Sequence, residues 1–150
     1  MAANPVGFRC LFPAGQGPRV LVVEDVESNA RYAESALHEM NCSVQLLPNG
    51  AAAVRALTCG VFDLVLMDLL MPIMNGIAAT IAIRSFEVAL HLRHTPIIAT
   101  TAAAMPADRL RCLNAGMDAV LIKPYTLEDL RSVLDRWAMP TRVDSHRIAA

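Results

Sequence analysis

No stretch of this 150-residue chain approaches the ~20 consecutive apolar residues that a membrane-spanning helix needs. The amino terminus lacks a basic start followed by an apolar block, so no export signal is expected. Charge is scarce: Asp, Glu, Lys and Arg make up 18% of residues and the formal net charge is -1. That balance gives no electrostatic case for nucleic acid or an anionic membrane as the main partner. The four cysteines, Cys10, Cys42, Cys59 and Cys112, form no CxxC pair. They read as reduced, buried thiols of a cytosolic protein. No GxxxxGK loop occurs, which argues against a nucleoside triphosphatase. Internal repeats and low-complexity blocks are also absent.

What is present is apolar material for one well-filled core, with 55% hydrophobic residues. Residues 1–18 hold three prolines and three glycines without any period and read as a linker. Residues 139–150 read as a flexible tail, leaving 19–138 as the domain. Within it, "RVLVVE" is continuously apolar inside and suits a strand covered on both faces, and "SVQLL", "FDLVLM", "TPIIAT" and "AVLI" read as four further strands. Helical patterns alternate with them. Val26, Ala30, Ala33, Leu37 and Met40 form one stripe, and an alanine-rich helix runs to a glycine stop at Gly60. The third helix spans Ile77 to about Val88, with Ile77 and Ile81 expected inward. Pro106 opens a helix expected to bury Leu110 and Leu113 and to end near Gly116. Thr126 caps a last helix, with Asp129 at its third position and Leu127, Leu130, Val133, Leu134 and Trp137 inward. Five strands alternating with five helices predict right-handed crossovers and an α/β fold, a parallel sheet with helices on both faces.

The polar residues then fall in a pattern. In open α/β sheets, ligands gather at the carboxyl ends of the strands. The first strand ends on Glu24 and Asp25, the third on Asp68, the fourth on Thr101 and the fifth on Lys123. Like charges at ~4 Å and an effective dielectric of ~20 repel by about 4 kcal/mol per pair, so such a cluster calls for a cation. Oxygen-only donors select a hard ion, Mg2+ or Mn2+, over zinc. A carboxylate beside such an ion, a lysine and a hydroxyl suits phosphoryl transfer onto the carboxylate, with Asp68 attacking. Taken singly, each residue has an ordinary use: a strand-end turn, a helix cap, a β-branched strand residue, a solvated lysine.

The segments "VLVVED" at 20–25, "FDLVLMDLLMPIMNG" at 62–76 and "TPIIATTAAAMPADRLRCLNAGMDAVLIKP" at 95–124 resemble the receiver domains of two-component response regulators. The last run is most similar to receivers attached to hybrid sensor histidine kinases. The resemblance covers about Arg19 to Trp137. It implies a flavodoxin-like doubly wound five-stranded parallel sheet of order 2-1-3-4-5, an order for which the chemotaxis member of this family is a standard example. It implies that Asp68 is the phosphoacceptor, charged from a phosphohistidine on a histidine kinase or a histidine phosphotransfer domain. Asp25, Asp68 and the Leu70 carbonyl would bind Mg2+, with Glu24 acting through metal-bound water and Mn2+ as a substitute ion. Thr101 and the Ala102 N–H would hold the phosphoryl group, Lys123 would pair with it, and the Lys123–Pro124 peptide would be cis. Such a domain catalyses its own phosphorylation and dephosphorylation. It would be cytoplasmic, without direct contact to DNA or membrane, and either a single-domain regulator or the C-terminal receiver of a hybrid kinase. A homodimer through the face of the fourth helix, fifth strand and fifth helix is a further expectation.

Departures from the family pattern carry information. Glu24 stands where many relatives have aspartate, and Asn75 replaces another aspartate at a loop position not expected to matter. Val120 stands where relatives that drive transcription carry Tyr or Phe, which favours a phosphorelay or phosphate-sink role over an aromatic output switch. Leu70 and Ala103 flank the site and cannot orient a water by side-chain hydrogen bonds, so slow self-dephosphorylation is expected. The alternatives are a flavodoxin-like FMN-binding module, disfavoured by the phosphate-repelling Glu24–Asp25 pair, and an unphosphorylated protein-interaction receiver. A haloacid dehalogenase-type phosphatase would need Asp-x-Asp after the first strand, which is absent. The "HLRH" run at 91–94 lacks further ligands for a metal. Met67, Met71 and Met74 read as packing residues.

Overall fold

The computed structural model describes residues 17–71, 73–102 and 105–138. The elements run β1 (Arg19–Val23), α1 (Glu27–Glu39), β2 (Ser43–Leu47), α2 (Gly50–Cys59), β3 (Leu64–Asp68), α3 (Gly76–Ala89), β4 (Ile97–Thr101), α4 (Pro106–Ala115), β5 (Ala119–Ile122) and α5 (Leu127–Val133). A π-helical turn, Leu134–Ala138, continues α5. All strand pairs are parallel, in the order β2-β1-β3-β4-β5. The fold is therefore the flavodoxin-like sheet expected. The linker and tail predicted for the two ends fall largely outside the described residues. Gly17 and Pro18 already join the domain, through Gly17 N–H to Asn41 O at 2.9 Å and Ser43 N–H to Pro18 O at 2.9 Å.

Alternation along the strands divides the core in two. Val20, Val22, Leu64, Leu66, Ile98 and Leu121 face α1 and α5. Leu21, Val23, Val65, Met67, Ile97 and Ala99 face α2, α3 and α4. Every residue of β3 and β4 is buried, as continuous apolar runs require. Each fully buried Leu, Ile or Val contributes on the order of 1.5–3 kcal/mol, so the sheet's centre is its rigid part. Met67 and Met71 are buried in the second cluster and Met74 packs against it, as the packing reading holds.

Several helix faces differ from expectation. α3 buries Gly76, Ala79, Thr80, Ile83 and Glu87, while Ile81 is 52% exposed. Small residues let this helix lie close to α2, where a Cβ on Gly50 would meet Ala79, and the polar members are satisfied locally: Thr80 Oγ1 donates to Gly76 O at 2.8 Å. α4 buries Cys112, while Leu110 and Leu113 are turned outward. Val26 is the exposed N-cap of α1, not part of its inner stripe, and Leu127 is likewise exposed at the first turn of α5. Gly60 ends α2 in extended geometry rather than in a left-handed cap. The Thr126–Asp129 capping box forms as expected. Cys42 and Cys112 are buried, but Cys59, the last residue of α2, is exposed. Burial pushes the Cys42 thiol up to about 11.

Gly76 is required by packing. A Cβ there would run into the backbone carbonyl of Asp68. Gly76→Ala is therefore expected to lower stability by about 1–3 kcal/mol in urea unfolding, through overpacking against the end of β3. A neutral effect would show that the end of β3 can move aside.

Candidate functional site

Parallel strands place their carboxyl ends at one rim. Register sets Val23 beside Met67 and Asp68 beside Thr100, so Glu24 arrives at the level of Asp68. On the other side, Lys123 N–H donates to Thr101 O at 2.8 Å, which fixes the lysine one step beyond β5. Glu24, Asp68 and Thr101 are buried, while Asp25 is exposed. Oxygens of Glu24, Asp25 and Asp68 lie within 4.8 Å of one another. The Lys123 Nζ reaches into this cluster, 2.6 Å from Glu24 Oε1 and 3.2 Å from Asp68 Oδ1. The Lys123–Pro124 peptide is cis.

The electrostatics follow from that crowding. Burial, reinforced by the hydrogen bond and charge of Glu24, pushes the Asp68 carboxyl up from 3.8 to about 6, against the pull of Lys123. Burial also works against the Glu24 charge, but hydrogen bonding to Lys123 and Asp68, the Lys123 charge and the Val26 N–H outweigh it and hold Glu24 below the usual range. Lys123 is raised: burial opposes its charge, and its two carboxylate partners more than compensate. One ammonium thus satisfies Glu24 and leaves Asp68 under-compensated. All the donors are hard oxygens, which fits Mg2+.

The neighbouring loops complete the rim. Leu70 is 82% exposed and Ile73 is 84% exposed, with Ile73 at φ 72°, an unusual angle for a β-branched residue. Ala102 is exposed beside Thr101, and Ala103 lies outside the described residues. Asn75 has a local role: its side chain caps α3 by accepting from Ala78 N–H at 2.9 Å, a role aspartate fills equally well, so the Asn-for-Asp difference leaves the cap intact. Tyr125 was not foreseen. Burial, Glu24, Tyr32 and Asp68 together push its phenol up to about 12, so it borders the acidic cluster. Its position two residues after Lys123 is the one signal the sequence offered. Among the described residues, the Glu24–Asp25–Asp68 group is the only acid, His or Cys cluster with metal-ligand spacing. The "HLRH" run is exposed instead, and His94 Nε2 lies 2.7 Å from Asp118 Oδ1. No described helix is long and apolar enough to cross a membrane.

A parallel 2-1-3-4-5 sheet with this acid–lysine rim defines a receiver domain of two-component and phosphorelay signalling. The response regulator receiver domain model matches residues 20–135, and the chain belongs to that family. It is 40% identical over 124 residues to the sensor protein GacS of Pseudomonas syringae pv. syringae, covering 83% of this chain and 14% of that protein. It is 38% identical over 122 residues to the transcription factor SKN7 of Saccharomyces cerevisiae, covering 81% of this chain and 19% of that one. The chain thus spans less than a fifth of the length of either relative. Among solved structures, it is similar to the receiver domain of the sensor histidine kinase PA1611 from Pseudomonas aeruginosa, which has magnesium coordinated in its active-site cleft. That match has 38% identity and a TM-score of 0.74, over 81% of this chain and 98% of the other. It is also similar to the Ssk1 receiver solved with the phosphotransfer protein Ypd1 of S. cerevisiae, with 31% identity and a TM-score of 0.76, over 84% and 92% of the two chains.

The raised Asp68 carboxyl carries a sign. A carboxyl whose folded pKa lies above its unfolded value binds more protons when folded, so wild-type stability falls as pH rises from about 4 to about 6. Asp68→Asn is expected to stabilise the metal-free protein by about 1–2 kcal/mol at pH 7.5, the gain shrinking toward pH 4. Urea unfolding across that pH range checks it. A destabilised Asn variant at pH 7.5 would mean that the Lys123 bond outweighs the repulsion.

Proposed function

We propose that Asp68 accepts a phosphoryl group from a phosphohistidine and that Lys123, Thr101 and the Ala102 N–H hold it there. The observation that supports this most directly is the placing of Asp68 beside Lys123 and two further acids at the strand ends. An Asp68 oxygen attacks phosphorus, the O–P bond forms and the P–N bond breaks. The electron pair returns to the imidazole nitrogen, which takes a proton from solvent. Lys123 exchanges its carboxylate partners for a phosphoryl oxygen, while the Thr101 hydroxyl and the Ala102 N–H donate to others. Asp25, Asp68 and the Leu70 carbonyl would hold Mg2+, or Mn2+ in its place, with Glu24 acting through a bound water. The ion supplies charge neutralisation as the anionic phosphoryl group approaches three carboxylates.

The donor is a histidine kinase or a histidine phosphotransfer domain, as the Ypd1 complex of the related Ssk1 receiver supports. Val120 packs partly buried against the second core cluster, which suits a phosphorelay or phosphate-sink role without an aromatic switch. Val26, Leu70, Ile73 and Met105 are exposed on the segments that follow β1, β3 and β4, the strands whose ends carry the acids and Thr101, and would suit the apolar flank of a histidine-bearing helix. Exposed Leu110, Leu113 and Ile122 support a homodimer across α4, β5 and α5. The cytoplasmic setting and the hybrid-kinase context belong to the same proposal.

Acetyl phosphate plus Mg2+ is expected to add one phosphoryl mass to the wild type and none to Asp68→Asn, read by intact mass spectrometry. Equal addition to both would move the acceptor elsewhere. The double variant Ile73→Asp, Met105→Asp is expected to slow transfer from a phosphotransfer domain at least about tenfold while leaving acetyl phosphate uptake within about twofold. Equal slowing with both donors would place those side chains in the chemistry rather than in docking.

A further inference from the structure

Lys123 has a support problem. It follows β5, an edge strand with β4 as its one partner, and the next residue is Pro124, which has no N–H to give. On the near side the lysine is tied to the sheet by its own N–H to Thr101 O. On the far side, the carbonyl of Tyr125 accepts a hydrogen bond from the Tyr32 hydroxyl at 2.9 Å, across 93 residues of sequence. The two rings lie 5.7 Å apart at 57°, a tilted aromatic contact. Beyond Tyr125, Thr126 N–H is held by Asp129 in the capping box.

The helix that supplies Tyr32 is well anchored. α1 buries Ala30, Ala33, Ala36 and Leu37, and Tyr32 stands on its flank, 47% exposed. An exposed tyrosine whose ring rests on Tyr125 and whose hydroxyl meets a turn carbonyl acts as a strut from a fixed helix to a turn. The turn it props begins at the lysine that reaches Glu24 and Asp68.

We infer that Tyr32 is a positioning residue for phosphoryl transfer. Its hydroxyl pins the Lys123–Thr126 turn to α1, so that the Lys123 ammonium stays over Asp68. This inference rests on the receiver chemistry proposed above. Tyr32 touches none of the three acids through a hydrogen bond, so its influence runs through Lys123 and not through metal binding.

Tyr32→Phe keeps the ring contact and removes only the hydroxyl. Phosphoryl uptake from acetyl phosphate, followed by intact mass at saturating Mg2+, is expected to slow about 3- to 10-fold, the range one lost hydrogen bond supports. The Mg2+ concentration giving half-maximal rate should stay unchanged, a split that general loosening of the fold would not produce. In a Lys123→Ala background the same substitution should change the rate less than about twofold, since the group it positions is gone. Hydrogen exchange should show the Lys123 amide losing protection while the Asp129 amide keeps it. An unchanged rate in Tyr32→Phe, or equal slowing with and without Lys123, overturns the inference while leaving the receiver chemistry standing. Failure of the wild type to take up phosphate would instead remove the chemistry on which it rests.

Discussion

One ammonium among three carboxylates organises this molecule. Lys123 sits 2.6 Å from Glu24 and 3.2 Å from Asp68, and Asp25 lies within the same small space. Any two of those acids would repel by several kcal/mol at contact, and one lysine cannot neutralise them all. The residue left under-compensated is Asp68, whose carboxyl rises to about 6. Strand ends, loops and helix caps near the rim can be understood as the scaffolding that holds this unfavourable arrangement together.

The sheet is what makes the crowding tolerable. β3 is buried throughout and β1 everywhere after Arg19, so the two strands cannot splay to relieve repulsion at their ends. Gly76 lets the chain after Asp68 turn back against that residue's own carbonyl, and Asn75 caps α3 at once. The loop between them puts Leu70 and Ile73 into solvent. At the sheet's edge, where β5 has a single neighbour, the lysine-bearing turn is braced by Thr101, by Tyr32 on α1 and by the cap of α5. Stability invested in the centre thus supports strain at the rim, the usual relation between a fold and its functional site.

Much of this was legible before any coordinates. Short apolar runs between helical patterns mark the strands, and each of the five lies within a residue or two of its expected bounds, the continuous ones being β3 and β4, buried throughout. The acids, threonine and lysine were recognisable because each follows such a run directly. The errors share a cause. Ile81, Leu110 and Leu113 were expected inward because they are large and apolar, yet Gly76, Ala79, Thr80 and Cys112 take the inner positions. A helix packed close to its neighbours selects small side chains for the contact, and hydropathy patterns weigh size in the opposite sense. The capping role of Asn75 is hidden in the sequence because a cap shows only when the helix start is known.

By itself, the sequence determined the fold class, the strand order through its family pattern, and which side chains would stand at the strand ends, since a two-residue alternation and a following turn leave little choice. Tertiary structure alone decided how those side chains share charge. That Lys123 bonds Glu24 more closely than Asp68 and that Tyr32 reaches a carbonyl 93 residues away are facts of distance. Electrostatic coupling depends on separation and burial in space, and neither quantity is written in the order of residues along the chain.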